Sequence, residues 1–140
     1  MIHARTLSIE WGDCDPAGIV FYPRYFAMFD RSTTALFEHA LGMLKRDFTV
    51  RYGIIGYPMV DTRASFLAPS VYGDVVTIES SVTAFRRSSF DVCHRLLNAG
   101  ALAVEGFETR VWAGSDPEHP RGLKSVPIPA EVTEKFGVSR

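Results

Sequence analysis

The stretch YPRYFAMFDRSTTALFEHALG, residues 22–42, decides how the rest of the chain is read. Within it Tyr22, Phe26, Phe29, Thr33, Leu36, Phe37, Ala40 and Leu41 recur at steps of three and four, the spacing that lines one face of an α-helix. Pro23 suits a first helical position, where its missing N–H costs nothing, and Gly42 suits the residue beyond the last turn. One long amphipathic helix over 23–41 is predicted, with an apolar stripe that another element must cover.

On both sides of that helix the period changes to two. Upstream, over 6–11, Leu7, Ile9 and Trp11 alternate with Thr6, Ser8 and Glu10, which predicts a half-buried strand. Downstream, a short helix over 44–51 ended by Gly53 precedes β-branched and aromatic runs at 59–66, 75–85, 89–97 and 102–113. The connections at 69–74, 86–88 and 98–100 are short enough to join antiparallel neighbours. Residues 114–122 read as a polar, Pro-rich loop, 123–126 as a last strand and 130–136 as a closing helix. One strand, one long helix and an antiparallel meander pack economically when the sheet wraps its apolar face around the helix, so the fold class is α+β. Such a sheet leaves edge strands, which proteins commonly manage by pairing subunits, and a homo-oligomer is expected.

Composition narrows the function. A chain of 140 residues, 46% hydrophobic and 22% charged, reads as one globular domain over 1–140 with a core of its own. No apolar run approaches the roughly 18–20 residues of a bilayer crossing, and the first residues lack a signal-peptide apolar region, so a cytoplasmic location with no membrane partner is expected. Fifteen basic against sixteen acidic residues, with no long Lys/Arg run, argue against nucleic acid as a partner. Cys14 and Cys93 stand apart and the four histidines are scattered, so neither a metal site nor a disulfide framework is expected. Nucleotide-binding glycine loops and the G-x-S-x-G elbow of serine hydrolases are absent from the sequence.

The chemistry is sought in the loop 12–18, which holds Asp13, Cys14 and Asp15 just before the N-terminus of the long helix. A helix start offers up to four unpartnered N–H groups and partial positive charge, able to polarise a carbonyl. A carboxylate facing those donors across a bound carbonyl would attack from one side while the oxyanion is held from the other. Asp13 and Asp15 are the candidates; both also suit ordinary turn and capping duty. Asp15 lies seven residues before Tyr22, too far to be the usual cap of a helix starting at Pro23. Cys14 is a poor nucleophile, because the flanking carboxylates oppose a thiolate. Asp30 falls on the apolar side of the helix by its spacing from Phe26 and Thr33, and either pairs internally, with Arg31 or Arg63, or lines a pocket as an acceptor for a polar substrate group. Arg86, Arg87, Ser88 and Ser89 occupy a strand connection, where guanidiniums can grip phosphate oxygens or simply sit in solvent.

The run from Gly12 to Pro23 resembles the signature of the hotdog-fold acyl-CoA thioesterases, in particular their 4-hydroxybenzoyl-CoA branch. The likeness continues in order through residues 51–58, 64–66, 72–79 and 86–90, and weakens after about residue 113. It implies a hotdog fold assembled as a homotetramer, a dimer of dimers. It implies too that Asp15 attacks the thioester or activates water, that the Tyr22 backbone N–H polarises the thioester carbonyl, and that no cofactor is needed beyond the coenzyme A of the substrate. By the same resemblance Arg86, Arg87, Ser88 and Ser89 contact coenzyme A phosphates, Asp30 lies near a ring hydroxyl, and Phe21, Tyr57 and Gly18 belong to the substrate site. Phe21, Tyr57 and Ser88 replace the tryptophan, threonine and lysine of the branch, which puts ring fit and phosphate attraction in question. Tyr22 stands where the cell-envelope short-chain thioesterases carry histidine, which favours aroyl substrates. Two alternatives remain: a thioesterase for aliphatic acyl-CoA or acyl-carrier-protein substrates, and a non-catalytic acyl-CoA binding module.

Overall fold

The computed structural model describes residues 1–138. Strand β1 (His3–Ser8) leads through a single 3-10 turn, Trp11–Asp13, into helix α1 (Pro23–Leu41) and helix α2 (Lys45–Tyr52). Strands β2 (Met59–Phe66), β3 (Val75–Phe85), β4 (Ser89–Asn98) and β5 (Ala101–Val111) follow, then the short pair β6 (Ala113–Ser115) and β7 (Leu123–Ser125), and helix α3 (Ala130–Glu134). The main sheet runs β1-β3-β4-β5-β2, antiparallel throughout, and α1 lies against its inner face. This is the expected α+β arrangement.

Three local expectations change. Trp11 does not extend the first strand: the Asp13 carboxylate accepts the Glu10 N–H at 2.8 Å and the Cys14 N–H donates to the Trp11 carbonyl at 3.1 Å. That tight turn throws the Trp11 ring outward, 74% exposed and edge-on to Tyr72. The run expected over 102–113 divides at buried Trp112, where the chain leaves the main sheet to pair β6 with β7. On α1 the apolar stripe is shifted in its first turns, with Tyr25 and Met28 buried while Tyr22 is exposed and Phe26 half-buried. Tyr22 and Phe26 instead meet Phe66, at the end of the uncovered edge strand β2.

The core falls into two apolar clusters along α1. One gathers Leu36, Phe37, Phe48, Tyr57, Phe90, Trp112 and Phe136; the other gathers Ile9, Val20, Tyr25, Phe29, Ile78, Leu96 and Val104. Between them a buried polar band crosses the sheet: Thr33 on α1, Ser80 on β3, His94 on β4, and Glu108 and Arg110 on β5. Gly106 on β5 makes room for the helix, since a Cβ there would come within 2.5 Å of the Phe29 ring. The bare backbone lets that ring stack flat on His94, at 4.8 Å between centroids and 3° between planes.

Candidate active site

The structure separates the two loop aspartates. Asp13 closes the 3-10 turn through its Oδ2, and its carbonyl accepts the Phe21 N–H at 2.8 Å, so it is a structural residue. Asp15 is half-buried; its Oδ1 accepts the Ala17 N–H at 2.8 Å and its carbonyl accepts the Gly18 N–H at 2.9 Å, while Oδ2 has no partner among the described residues. Gly18 sits at φ 82°, a left-handed conformation that turns the chain back so that the Ile19 carbonyl accepts the Asp15 N–H at 2.9 Å. Cys14 points its Sγ at the Glu10 carbonyl, 3.7 Å away.

At the helix start the expected set of free donors shrinks. Pro23 has no N–H, and the Arg24 and Tyr25 N–H groups fold back onto the carbonyls of Phe21 at 2.8 Å and Tyr22 at 3.1 Å. The Tyr22 N–H engages no described residue, which leaves it as the available donor at the positive end of α1. Beside it lies an apolar cleft of about 340 Å³ lined by Ile19, Val20, Tyr22, Tyr25, Phe66, Leu67, Ala68 and Pro69. Phe21, 48% exposed, packs edge-on against Tyr22 at the same rim. A carboxylate oxygen and a free amide thus sit on one short run of chain, and the cleft at Tyr22 is walled by that run and by residues 66–69.

Asp30 lies elsewhere. It lines an open cleft between α1 and α2 with Ala27, Arg31, Thr34, Glu38, Leu44, Lys45 and Arg46, and shares no lining residue with the cleft beside Tyr22. Contrary to its apolar-face spacing, Asp30 is exposed, and its partner is neither Arg31 nor Arg63 but Arg110, whose Nη2 donates to Oδ1 at 2.7 Å. Arg63 pairs with Asp61 and lies over the Phe107 ring. Tyr57 is buried in the aromatic cluster rather than open to a cleft, its hydroxyl 3.2 Å from the Thr34 hydroxyl and its ring under the Lys45 ammonium. Burial pushes the Tyr57 phenol up to about 12, so it stays neutral.

At the strand connection Arg86 is already engaged. Its guanidinium grips Asp91 with two nitrogens and donates from Nε to Ser89 Oγ at 2.8 Å, while Asp91 also accepts from Thr109 at 2.9 Å. The Arg86 guanidinium in turn holds the Asp91 carboxyl below the usual carboxylate range, against the opposing effect of partial burial. Arg87 is exposed and makes no ion pair with any described residue. Of the four residues expected at this connection, Arg87 and Ser88 are the ones whose side chains carry no hydrogen bond among the described residues.

The buried band was not foreseen from the sequence. The Thr33 hydroxyl donates to Glu108 Oε1 at 2.6 Å, so toward His94 Nε2, 3.1 Å away, it can only accept. That puts a proton on His94 Nε2, which also lies 3.3 Å from Glu108 Oε2, while Nδ1 lies 2.7 Å from the Ser80 hydroxyl. Arg110 donates from Nε to Glu108 at 2.9 Å and from Nη1 to the Tyr57 carbonyl at 3.3 Å. Burial alone would raise the Glu108 carboxyl, but hydrogen bonds from His94 and Arg110 bring it down to about 2. The signal in the sequence is a phase: Glu108 and Arg110 alternate in step with Val104 and Gly106, and His94 in step with Val92 and Leu96.

Residues 9–136 match the pattern of the thioesterase-like superfamily. The chain is 36% identical to the 4-hydroxybenzoyl-CoA thioesterase of Pseudomonas sp. (strain CBS-3), over 90% of this chain and 91% of that protein. It is 32% identical to a 1,4-dihydroxy-2-naphthoyl-CoA hydrolase of Synechococcus elongatus, over 63% of this chain and 64% of the other. A crystal structure of a 4-hydroxybenzoyl-CoA thioesterase bearing an aspartate-to-asparagine substitution, complexed with 4-hydroxybenzoyl-CoA, superposes with a TM-score of 0.86 at 35% identity, covering 96% of this chain and 98% of that one.

Proposed function

Because this chain belongs to the thioesterase-like superfamily, we propose that it hydrolyses an acyl-CoA thioester, 4-hydroxybenzoyl-CoA or a related aroyl-CoA, to the free acid and coenzyme A. The observation that carries this assignment is local: the unengaged Asp15 Oδ2 and the unengaged Tyr22 N–H stand at the two ends of one folded loop, whose Tyr22 end lines an apolar cleft. With the thioester carbonyl directed at the Tyr22 N–H, the amide and the helix dipole stabilise the oxygen as it gains charge. Asp15 acts on the carbonyl carbon, as nucleophile or as the base that directs a water. Arg87 and Ser88, with Arg86 and Ser89, hold the phosphates of the coenzyme, and that remote binding energy orients the thioester.

Asp30 serves the same substrate as acceptor for the ring hydroxyl, and this requires a second copy of the chain. Strand β2 is an edge strand with its residues exposed on both faces apart from half-buried Ala64. Antiparallel pairing of two copies centred on Thr62 would set Asp61 opposite Arg63 in both directions. The same pairing brings the Phe66 end of β2, which touches the start of α1, toward the Met59 end of the second copy, where Met59 pairs with Arg110, the partner of Asp30. The site is completed across that interface, in a dimer that pairs further into a homotetramer.

Thiol release measured over 4-hydroxybenzoyl-, benzoyl-, hexanoyl- and palmitoyl-CoA, with Asp15→Asn as control, tests the assignment. Preference for the hydroxylated aroyl thioester, lost with the control, is the expected result. A preference for aliphatic chains would move the substrate class to general acyl-CoA. Full activity in Asp15→Asn would remove Asp15 from the mechanism.

A further inference from the structure

The buried band ends at the surface in a single exposed group, the Asp30 carboxylate. Its side chain is 65% exposed, whereas the Arg110 guanidinium that holds it is 5% exposed. Arg110 is fixed from three directions: Glu108 accepts from Nε at 2.9 Å, the Tyr57 carbonyl from Nη1 at 3.3 Å, and Asp30 Oδ1 from Nη2 at 2.7 Å. Behind it Glu108 is itself held by Thr33 and His94, and His94 by Ser80 and the Phe29 ring. Every member of this chain below Asp30 is buried, and each has a partner.

Glu108 already supplies the countercharge that a buried guanidinium needs. The third arm of the fork, reaching a solvated carboxylate, adds little to stability, since ion pairs with an exposed partner are weak. What the third arm does is orient. An aspartate on a helix surface ordinarily samples several rotamers; here Oδ1 is pinned to a planar, rigidly anchored donor, while Oδ2 has no partner among the described residues and the residue lines the cleft with Thr34 and Lys45.

We propose that Arg110 is a positioning residue for the acyl site: anchored by Glu108 and the Tyr57 carbonyl, it presents the free oxygen of Asp30 in one orientation to a hydroxyl on the acyl group of the substrate. This rests on the assignment of Asp30 as the hydroxyl acceptor. Arg110 touches no reacting atom and acts only through Asp30. Lysine in its place keeps the charge but lacks the fork that reaches three acceptors at once. The effect falls on discrimination between acyl groups and not on thioester chemistry as such, because that chemistry is assigned to Asp15 and Tyr22.

The experiment is a double-mutant cycle read as the ratio of kcat/KM for 4-hydroxybenzoyl-CoA over benzoyl-CoA. Arg110→Lys is expected to lower the ratio about tenfold, through KM rather than kcat, the scale of one charge-assisted hydrogen bond. Asp30→Asn lowers it comparably, and adding Arg110→Lys to Asp30→Asn lowers it no further. A second handle, Glu108→Gln, keeps the shape of the Arg110 anchor while weakening it; the same loss, smaller, is expected, and this variant decides the matter if Arg110→Lys does not fold. An unchanged ratio in a folded variant, or an equal additional loss in the Asp30→Asn background, overturns the proposal and leaves Asp30 as acceptor. If the unsubstituted enzyme shows no preference for the hydroxylated substrate, the acceptor role of Asp30 falls and the positioning role falls with it.

Discussion

The loop around Asp15 and the band around Glu108 are built in opposite ways. The loop assembles its groups from one short run of chain, residues 13–22, through backbone hydrogen bonds and one left-handed glycine. The band draws Thr33, Ser80, His94, Glu108 and Arg110 from four separate elements and contains no sequence-adjacent pair. The loop leaves a carboxylate oxygen and an amide unengaged, whereas in the band every buried polar side-chain atom among the described residues finds a partner. Unspent hydrogen-bonding capacity is what a substrate can use; a satisfied network instead holds its members in place. The difference supports the proposal that the loop carries the chemistry while the band carries architecture, with Asp30 the point where, among the described residues, the band reaches solvent.

Activity and stability should therefore separate between the two regions. Asp15→Asn should lower kcat on the preferred acyl-CoA by about 10²- to 10⁴-fold, the usual reach of a positioned acid or base, with Tm nearly unchanged. A large drop in Tm would show that the loop aspartate is structural after all. Glu108→Ala should do the reverse, costing about 3–5 kcal/mol in denaturant unfolding because it strands the buried Arg110 and the His94 proton.

Acid should expose the same contrast. The Glu108 carboxyl lies at about 2 in the folded protein against an ordinary 4.5, with His94, Thr33 and Arg110 facing it. A depressed folded value means stability that is present above the unfolded value and is lost as pH falls from about 4.5 toward 2, amounting to about 3 kcal/mol when complete. Urea midpoints between pH 6 and 2.5 should follow that slope, and Glu108→Gln should flatten it. Gly106→Ala should cost about 1–3 kcal/mol by pressing a methyl group into the Phe29 ring, and should disturb the stack on His94 without reaching the loop. The smallest effect is expected at the strand connection. Asp91→Asn weakens an exposed clamp worth about 0–1 kcal/mol, so KM for acyl-CoA should fall by only a few-fold as Arg86 is released toward phosphate. An increase in KM would show that Asp91 holds Arg86 in its working position.

Much of the frame was legible in the chain because the signals are periodic and local. The three-four spacing that ends at Gly42 located α1, and period two located the meander, within a residue or two at most ends. Trp11 misled because alternation cannot see the carboxylate two residues on, which closes a turn onto the Glu10 N–H. Asp30 misled: its spacing put it on the apolar side of the helix, yet it is exposed, and spacing says nothing about which strand lies opposite, where Arg110 is 80 residues away. Arg86 read as available for phosphate because the hairpin that folds Asp91 back onto it exists only once β3 and β4 pair.

By itself the sequence determined the fold class, the long helix and the loop that carries Asp15 and Tyr22, since each depends on side-chain period or on hydrogen bonds within a few residues. Only the tertiary structure decided that Asp13 is spent on a turn, that Tyr22 is the donor left over at the helix start, and that a buried charge network underlies Asp30. The network under Asp30 depends on which polar groups meet when distant strands pair, whereas the loop and the helix start hold several neighbouring groups that compete for the same few local hydrogen bonds; a group's freedom to act is known only after every such competitor has been placed.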